Sequence, residues 1–596
     1  MTAIPAEVPD EYAVDQVLGA TGLLARLNRA GVVEAADVHV ALRAGALCEE
    51  ADDHVLLALA LTVRALRAGS TCLDLGEATA ELAELEADGP EVDLAAWRER
   101  IAASPLAGEP AVIHVEGDLV FLDRYWREEV QVCRDLLARM ALPDDPVDPE
   151  RLQAGLDRLF PTTGWEEQRA ATAIAVNQRT TVLTGGPGTG KTSSVAAVLA
   201  VLAEHVAAQS GRPLRAALAA PTGKAAARLS ESVSATMGHW PEGAAADRER
   251  LAGLEPMTLH RLLGSRPDTR ARFRHDRNNR LAYDVVVVDE SSMLSLTMMA
   301  RLLEALRPET RLLLVGDPSQ LASIDAGAVL SDLVAGLADR DDVEIAALET
   351  SHRFGPRIGA LAESIRVGDS DACLAALRSG ADEVDFVEDD DVEAALREHL
   401  LEGALSLRAA AAVGDGERAL ALLERHRLLC AHRDGSRGVA WWNRLVERWI
   451  GEATGEPIWD EWYVGRPVLV TANDYGLGVF NGDTGVTVRR GGELRVLIRA
   501  AGAGGAVRDL APSRLTDVQT MHAMTIHKSQ GSQAREVTVL MPDEESRLLT
   551  RELFYTAVTR AEQTVRVVGS EAVLREALAR NVRRASGLRE RLRRVV

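Results

Sequence analysis

The octapeptide Gly185-Gly186-Pro187-Gly188-Thr189-Gly190-Lys191-Thr192 constrains this chain more than any other stretch. It follows a short apolar run at 180–183 and precedes the apolar run 193–199, the strand, loop and helix context that a phosphate-binding loop requires. Glycines let the backbone turn tightly enough for successive N–H groups to face one anion, and the helix N-terminus adds its dipole. Lys191 is expected to bridge the β- and γ-phosphates, and the Thr192 hydroxyl to ligate Mg²⁺. The chain therefore reads as a binder of a nucleoside triphosphate.

Only three lysines occur, Lys191, Lys224 and Lys528, among 67 basic residues. A lysine that persists in an arginine-biased chain marks a place where a compact ammonium is needed, not a planar fork. The second lies in Pro221-Thr222-Gly223-Lys224, delivered by the apolar run 214–220 into a helix start. Backbone donors, a hydroxyl and a cation at such a point suit a phosphodiester backbone. Thr258-Leu259-His260 follows as a second polar element, and Thr525-Ile526-His527-Lys528 holds the third lysine.

Val285 to Val288 are four consecutive β-branched residues, a strand buried on both faces, with Asp289 and Glu290 at its carboxyl end. Asp289 is expected to hold Mg²⁺ through water, and Glu290 to orient and deprotonate the attacking water. The run 312–315 is a third strand, ending in Gly316-Asp317-Pro318-Ser319-Gln320; Gln320 is placed to sense the γ-phosphate. Gln168, on a helix feeding the phosphate loop, has an amide able to pair with an adenine edge. Arg560, with Arg353 as the second candidate, is expected to reach the triphosphate from a second domain, so that hydrolysis depends on closure.

The net charge of −23 divides unevenly. Residues 1–150 carry 30 acidic against 11 basic residues, a net −19, and the remainder 60 against 56, a net −4. The acidity thus belongs to an N-terminal region, and the rest can hold a basic channel. That region reads as helical to about residue 104, then as a hairpin over 112–122 and a helix start at 123–129. Residues 143–149, with three prolines, read as a linker. Strands alternating with helices from 151 onward predict a mostly parallel sheet. Residues 369–425 read as helical, 460–510 as a small inserted β-barrel, and the arginine-rich 583–594 as an amphipathic final helix. Five scattered cysteines, no signal peptide and no apolar run near the ~20 residues of a membrane span point to a cytoplasmic protein without membrane contact.

In this order the motifs resemble those of superfamily 1 helicases, and among them the RecD family, the α subunit of RecBCD (exonuclease V). The resemblance runs from about Arg124 to the C-terminus. Beyond the phosphate loop it is carried by Ala-Pro-Thr-Gly-Lys-Ala-Ala-Ala-Arg at 220–228, Val-Val-Asp-Glu-Ser-Ser-Met at 287–293 and Val-Gly-Asp-Pro-Ser-Gln-Leu at 315–321. Asn473-Asp474-Tyr475, Asn-Gly-Asp-Thr-Gly at 481–485 and Thr-Ile-His-Lys-Ser-Gln-Gly-Ser at 525–532 complete it.

The resemblance implies an α/β fold of two RecA-like P-loop NTPase domains, an SH3-like β-barrel insertion and a helical N-terminal domain. The expected division is a partner-docking domain at 1–120, a hairpin, helix and linker at 121–150, and motor domain 1 at 151–345. Motor domain 2 occupies 346–459 and 513–596, interrupted by the barrel at 460–512. Further implications are ATP and Mg²⁺ as ligands, 5′-to-3′ translocation on single-stranded DNA and duplex ends, and RecB-like and RecC-like partner subunits. By the same resemblance Gln320, Arg353 and Arg560 contact the γ-phosphate and Gln168 the adenine. Pro221, Thr222, Lys224, Thr258, His260, Thr525 and His527 line the DNA path. One position departs from the pattern: Gln533 stands where many relatives place a glutamate against the ribose. The alternatives are a free-standing 5′-to-3′ helicase, whose longer chains carry helix-hairpin-helix repeats not seen in 1–150, and a regulatory chain using ATP as a switch.

Overall fold

The computed structural model describes residues 16–85, 92–143, 145–266, 269–340, 343–353, 355–380, 382–388, 391–474, 476–499, 507–543, 546–582 and 584–593. Tyr475 of the motif above, and Arg583 and Arg594 of the tail, lie outside these residues.

Among the described residues, six parallel strands form the first sheet. Their order is Ala346–Leu348, Thr180–Gly185, Arg311–Gly316, Val285–Val288, Ala216–Ala220 and Met257–Thr258. Side chains alternate across the sheet plane. Val286, Val288, Leu312 and Leu314 therefore join one core, and Val285, Val287, Leu313 and Val315 the other. Burial on both faces is what selects four consecutive valines at 285–288.

The helix Lys191–Ser210 fills one of these cores; it starts after left-handed Gly190 and stops at left-handed Gly211. It is long and apolar enough to cross a membrane, against the expectation from sequence. Its residues Ser194–Ala203 are nonetheless buried inside the domain.

A second parallel sheet has the order Val384–Val387, Ala561–Val568, Ala534–Leu540, His426–Cys430 and Ala523–Thr525. Between its strands lies an antiparallel sheet ordered Val507–Leu510, Glu493–Arg499, Thr484–Arg490, Pro467–Val470 and Val518–Thr520. That unit has its own small core, including Val468, Val470, Val496 and Ile498. Among the described residues no pairing joins its two edge strands.

Among the described residues the N-terminal unit packs five α-helices, including the apolar Asp53–Arg67, on a three-stranded sheet containing the hairpin Ile113–Glu116 and Leu119–Leu122. The turn of that hairpin uses left-handed Gly117. The helix Asp123–Met140 then packs on the domain of the first sheet through Val132, Cys133 and Leu136.

The expected boundaries shift in four places. Residues 346–348 pair with Leu183–Gly185 as the edge of the first sheet, so the first domain extends past 345; a three-residue strand carries too little periodicity to be seen in sequence. The region 369–425 contains the strand Val384–Val387. The antiparallel sheet runs past 512, closing its order with Val518–Thr520. The final helix Leu588–Arg593 leaves the second domain and packs on Val329–Leu337 of the first, where Leu588 and Leu592 join Leu330, Leu333 and Leu337. Gly336 permits the approach: a Cβ there would stand 3.0 Å from Leu592 Cβ.

Candidate nucleotide and strand site

Parallel sheets gather their loops at the carboxyl ends of the strands, and here those loops enclose a cavity of about 330 Å³ between the two sheets. Gly188 and Gly190 adopt φ of +82° and +87°, left-handed backbone that glycine alone enters freely. Lys191 Nζ donates to Gly185 O at 2.6 Å and to Gly186 O at 2.8 Å, and Thr189 Oγ1 donates to Gly186 O at 3.0 Å. Burial lowers the lysine pKa, and the carboxylates of Asp317, Glu290 and Asp289 oppose that shift. Lys191, Thr192, Pro187, Gly188 and Gly190 line the cavity; Gly185, Gly186 and Thr189 form the wall of the loop behind it.

Across the cavity stand Asp289 and Glu290. Burial, and then the adjacent Glu290 charge, raise the Asp289 pKa. Glu290 adopts φ of +51°, a strained backbone for a residue with a side chain, at a cost of ~1–2 kcal/mol. Such strain concentrates at functional sites. A half-buried carboxylate pair lining the same cavity as Thr192 is a donor set that a hard divalent cation would relieve. Thr192 and Asp289 line the cavity as an oxygen pair that could hold a divalent cation. Among the described residues no three His, Cys, Asp or Glu side chains form a metal site by themselves. Ligands from nucleotide and water are therefore required as well.

The domains are joined inside this cavity. Arg560, 4% exposed, donates Nη2 to Gln320 Oε1 at 3.2 Å, and Gln320 Nε2 donates to Asp317 Oδ2 at 3.0 Å. Alongside, Leu321 N donates to Thr556 Oγ1 at 2.9 Å and Gln530 Nε2 to Leu321 O at 3.1 Å.

Arg353 arrives differently from the expectation. It leaves the edge strand of the first sheet and lies on the phosphate loop, where His352 N donates to Gly188 O at 2.9 Å and Ser351 Oγ to Pro187 O at 3.0 Å. Burial holds Arg353 down at about 10.

Gln168 does not line the cavity. It is 1% exposed behind the loop, donates Nε2 to Thr189 O at 2.8 Å, and its Oε1 is buried without a hydrogen-bond partner. In this conformation it braces the loop and presents no amide edge to a base.

The strand-path candidates show a shared construction. Thr222 follows a parallel strand by two residues, and Thr258 and Thr525 end theirs; each caps the following helix, accepting from Ala225 N, Arg261 N and Lys528 N at 3.2, 3.2 and 3.3 Å. Their hydroxyls are thus engaged in capping, while the capped turns leave N–H groups at the sheet tips. Pro221 precedes the first cap. Thr222 follows the strand beside that of Thr258, Ala220 pairing with Thr258. His260 is exposed and packs edge-on to Phe273. His527 lines a separate cavity of about 720 Å³ between the two domains and the N-terminal unit. Lys224 is drawn to the insertion: Nζ donates to Gly482 O at 3.4 Å, and burial pushes its pKa down to about 7.

Sequence reasoning missed Trp165, Arg228, Asp317 and His352 as cavity residues. Trp165 and His352 rings stand 6.2 Å apart at one end of the cavity. Arg228 and Asp317 sit inside motifs already noted, but nothing in spacing alone turns them inward.

A glycine loop under a triphosphate-sized cavity, an acidic strand tip, and an arginine delivered by a second parallel domain define a two-domain P-loop NTPase, and the relatives that follow make it an ATP-dependent DNA helicase. Residues 168–326 match an AAA domain, 520–568 a UvrD-like helicase C-terminal domain, and 29–114 the N-terminal domain of RecBCD enzyme subunit RecD. The chain is 58% identical to the RecBCD enzyme subunit RecD of Mycolicibacterium smegmatis, over 95% of this chain and 98% of that one. It is 30% identical to the ATP-dependent RecD2 DNA helicase of Deinococcus radiodurans, over 82% of this chain and 61% of that one. A Bacteroides Pif1 bound to single-stranded DNA aligns over 69% of this chain and 94% of its own, at 16% identity and a TM-score of 0.37. The chain belongs to the RecD family.

Proposed function

We propose that this chain is the 5′-to-3′ motor of a RecBCD-type assembly, working in the cytoplasm on single-stranded DNA and duplex ends with RecB-like and RecC-like subunits. The observation that carries the motor reading is the buried chain Arg560–Gln320–Asp317, which joins the second domain to the nucleotide cavity. Membership of the RecD family supports the polarity and the partners.

Lys191 would exchange its two loop carbonyls for phosphate oxygens, and Thr192 and Asp289 would hold Mg²⁺. When bound, Mg²⁺ neutralises charge on the transferring phosphoryl group. Glu290 orients the attacking water, and Gln320, Arg353 and Arg560 meet the γ-phosphate. Because Arg560 belongs to the second domain, its contact is made only when the domains close; hydrolysis then alternates closure with release. The capped turns at Thr222, Thr258 and Thr525, with Pro221, His260, Lys224 and His527, track the DNA backbone. The antiparallel insertion is read as an SH3-like barrel walling that path. The acidic N-terminal unit is read as the docking surface for the partner subunits.

The test is unwinding of 5′-tailed and 3′-tailed duplexes by the assembly purified from its own cells, wild type against Lys191→Gln. Loss of 5′-tailed unwinding and ATP turnover in the folded variant supports the reading. Retained DNA-stimulated turnover refutes the site, and recovery of the chain without larger subunits refutes the partners.

A further inference from the structure

The nucleotide cavity holds more positive charge than the roles above use. Four cations line it, Lys191, Arg228, Arg353 and Arg560, against Asp289, Glu290 and Asp317. Arg228 lies on the helix Gly223–His239 of the first domain, and its Nη2 donates to Gln533 Oε1 of the second. Gln533 is neutral, so this bond positions the guanidinium without cancelling its charge. A guanidinium has five donors. Among the described residues the hydrogen bond to Gln533 is the only one the Arg228 guanidinium makes. Its charge is felt at both other arginines, lowering each, and it opposes the burial shift of Asp289. Like charges brought together in a half-buried cleft favour a bound polyanion.

The same helix begins at the strand path. Thr222 caps it, a Cβ on Gly223 would stand 3.4 Å from Phe480 Cβ, and Lys224 Nζ meets Gly482 O. Lys224 and Arg228 are four residues apart, one above the other on a single helix face. A shift at the first turn is therefore carried into the cavity by a rigid element.

We propose that Arg228 is a third γ-phosphate-binding arginine, positioned by Gln533, and that its helix reports occupancy of the strand path to the nucleotide. This rests on the nucleotide site proposed above. Arg228 differs from Arg560 in coming from the first domain, and the second domain reaches it only through the Gln533 bond. Gln533 is a positioning residue acting through it.

The experiment measures binding of AMP-PNP and of ADP, each with Mg²⁺, to the full chain with and without a dT oligonucleotide. Arg228→Ala, Arg228→Lys, Gln533→Ala and the Arg228→Ala/Gln533→Ala pair are compared with wild type. A charge-assisted hydrogen bond to phosphate predicts that Arg228→Ala weakens AMP-PNP about tenfold or more and ADP less than about threefold. Lysine restores part of the loss, because it keeps the charge but not the fork. Gln533→Ala gives a smaller loss of the same kind, and the pair is no worse than Arg228→Ala alone. The oligonucleotide tightens AMP-PNP binding to wild type and not to Arg228→Ala. Equal weakening of ADP and AMP-PNP, no weakening, or independent losses in the pair would overturn the proposal. Failure of wild type to bind either nucleotide would instead overturn the nucleotide site itself. Thermal melting of each variant identifies misfolding, and Gln533→Ala keeps the test open if Arg228→Ala does not fold.

Discussion

Replacing Gly188 by alanine tests how closely the phosphate loop and the Arg353 segment are fitted. The φ of +82° costs an alanine ~1–2 kcal/mol. Its Cβ would also stand 2.2 Å from Arg353 Cβ and 3.0 Å from Ser351 Oγ. Carbon atoms rest at about 3.5–4.0 Å, so the 351–353 segment must retreat by more than ~1 Å. That movement breaks the His352 N to Gly188 O and Ser351 Oγ to Pro187 O hydrogen bonds, each worth ~0.5–1.5 kcal/mol net. The sum is roughly 2–5 kcal/mol. The larger effect falls on turnover, because a reacting group displaced by ~1 Å can cost about 10²-fold. Gly186→Ala is the control: the nearest atom to its Cβ would be the Tyr555 hydroxyl, at 3.1 Å, a contact relieved by a small rotation, with Thr189 Cγ2 at an ordinary 3.9 Å. The assay is DNA-stimulated ATP hydrolysis with thermal melting of both variants. Turnover of Gly188→Ala within about threefold of wild type would refute the claim that Arg353 is seated by this contact.

Three further outcomes are expected. Glu290→Gln binds ATP but hydrolyses it at least ~10²-fold more slowly, for want of the residue that orients water; wild-type turnover would require another base. Thr556→Val leaves the buried Leu321 N–H without its acceptor, a loss of ~1–3 kcal/mol across the domain interface, read as a lower melting temperature and weaker DNA stimulation. Unchanged melting would show that another group accepts this bond. Asp332 packs against Ser586 of the C-terminal segment, near Glu129, Arg589 and Arg584, and burial pushes its pKa up to about 7. A raised carboxyl pKa favours the neutral form, so its contribution is full below about 3.8 and is lost as pH rises through about 7. Proteolysis of the tail should therefore be faster at pH 8 than at pH 5.5, and Asp332→Asn should abolish the difference; an equal pH effect in that variant would exclude Asp332 as its source.

The phosphate loop and the acidic strand tip of the candidate site were legible in sequence because each depends on local constraints. Glycines flanking Lys191 permit one loop, four valines demand a buried strand, and Asp289 with Glu290 follows at the end where sheet sites form. The alternation of strands and helices gave the α/β class for the same reason. What tertiary structure alone decided depends on contacts between distant segments. Arg353 is seated on Gly188 because the three residues 346–348 join the first sheet, too short a strand to show a period. Gln168 turns under the loop because its amide finds Thr189 O there. Arg228 enters the cavity through a bond to Gln533, 305 residues away. The final helix returns to the first domain because Leu588 and Leu592 complete a core begun at Leu333 and Leu337. Periodicity determines that such a helix has an apolar face; only the folded chain determines which surface that face covers.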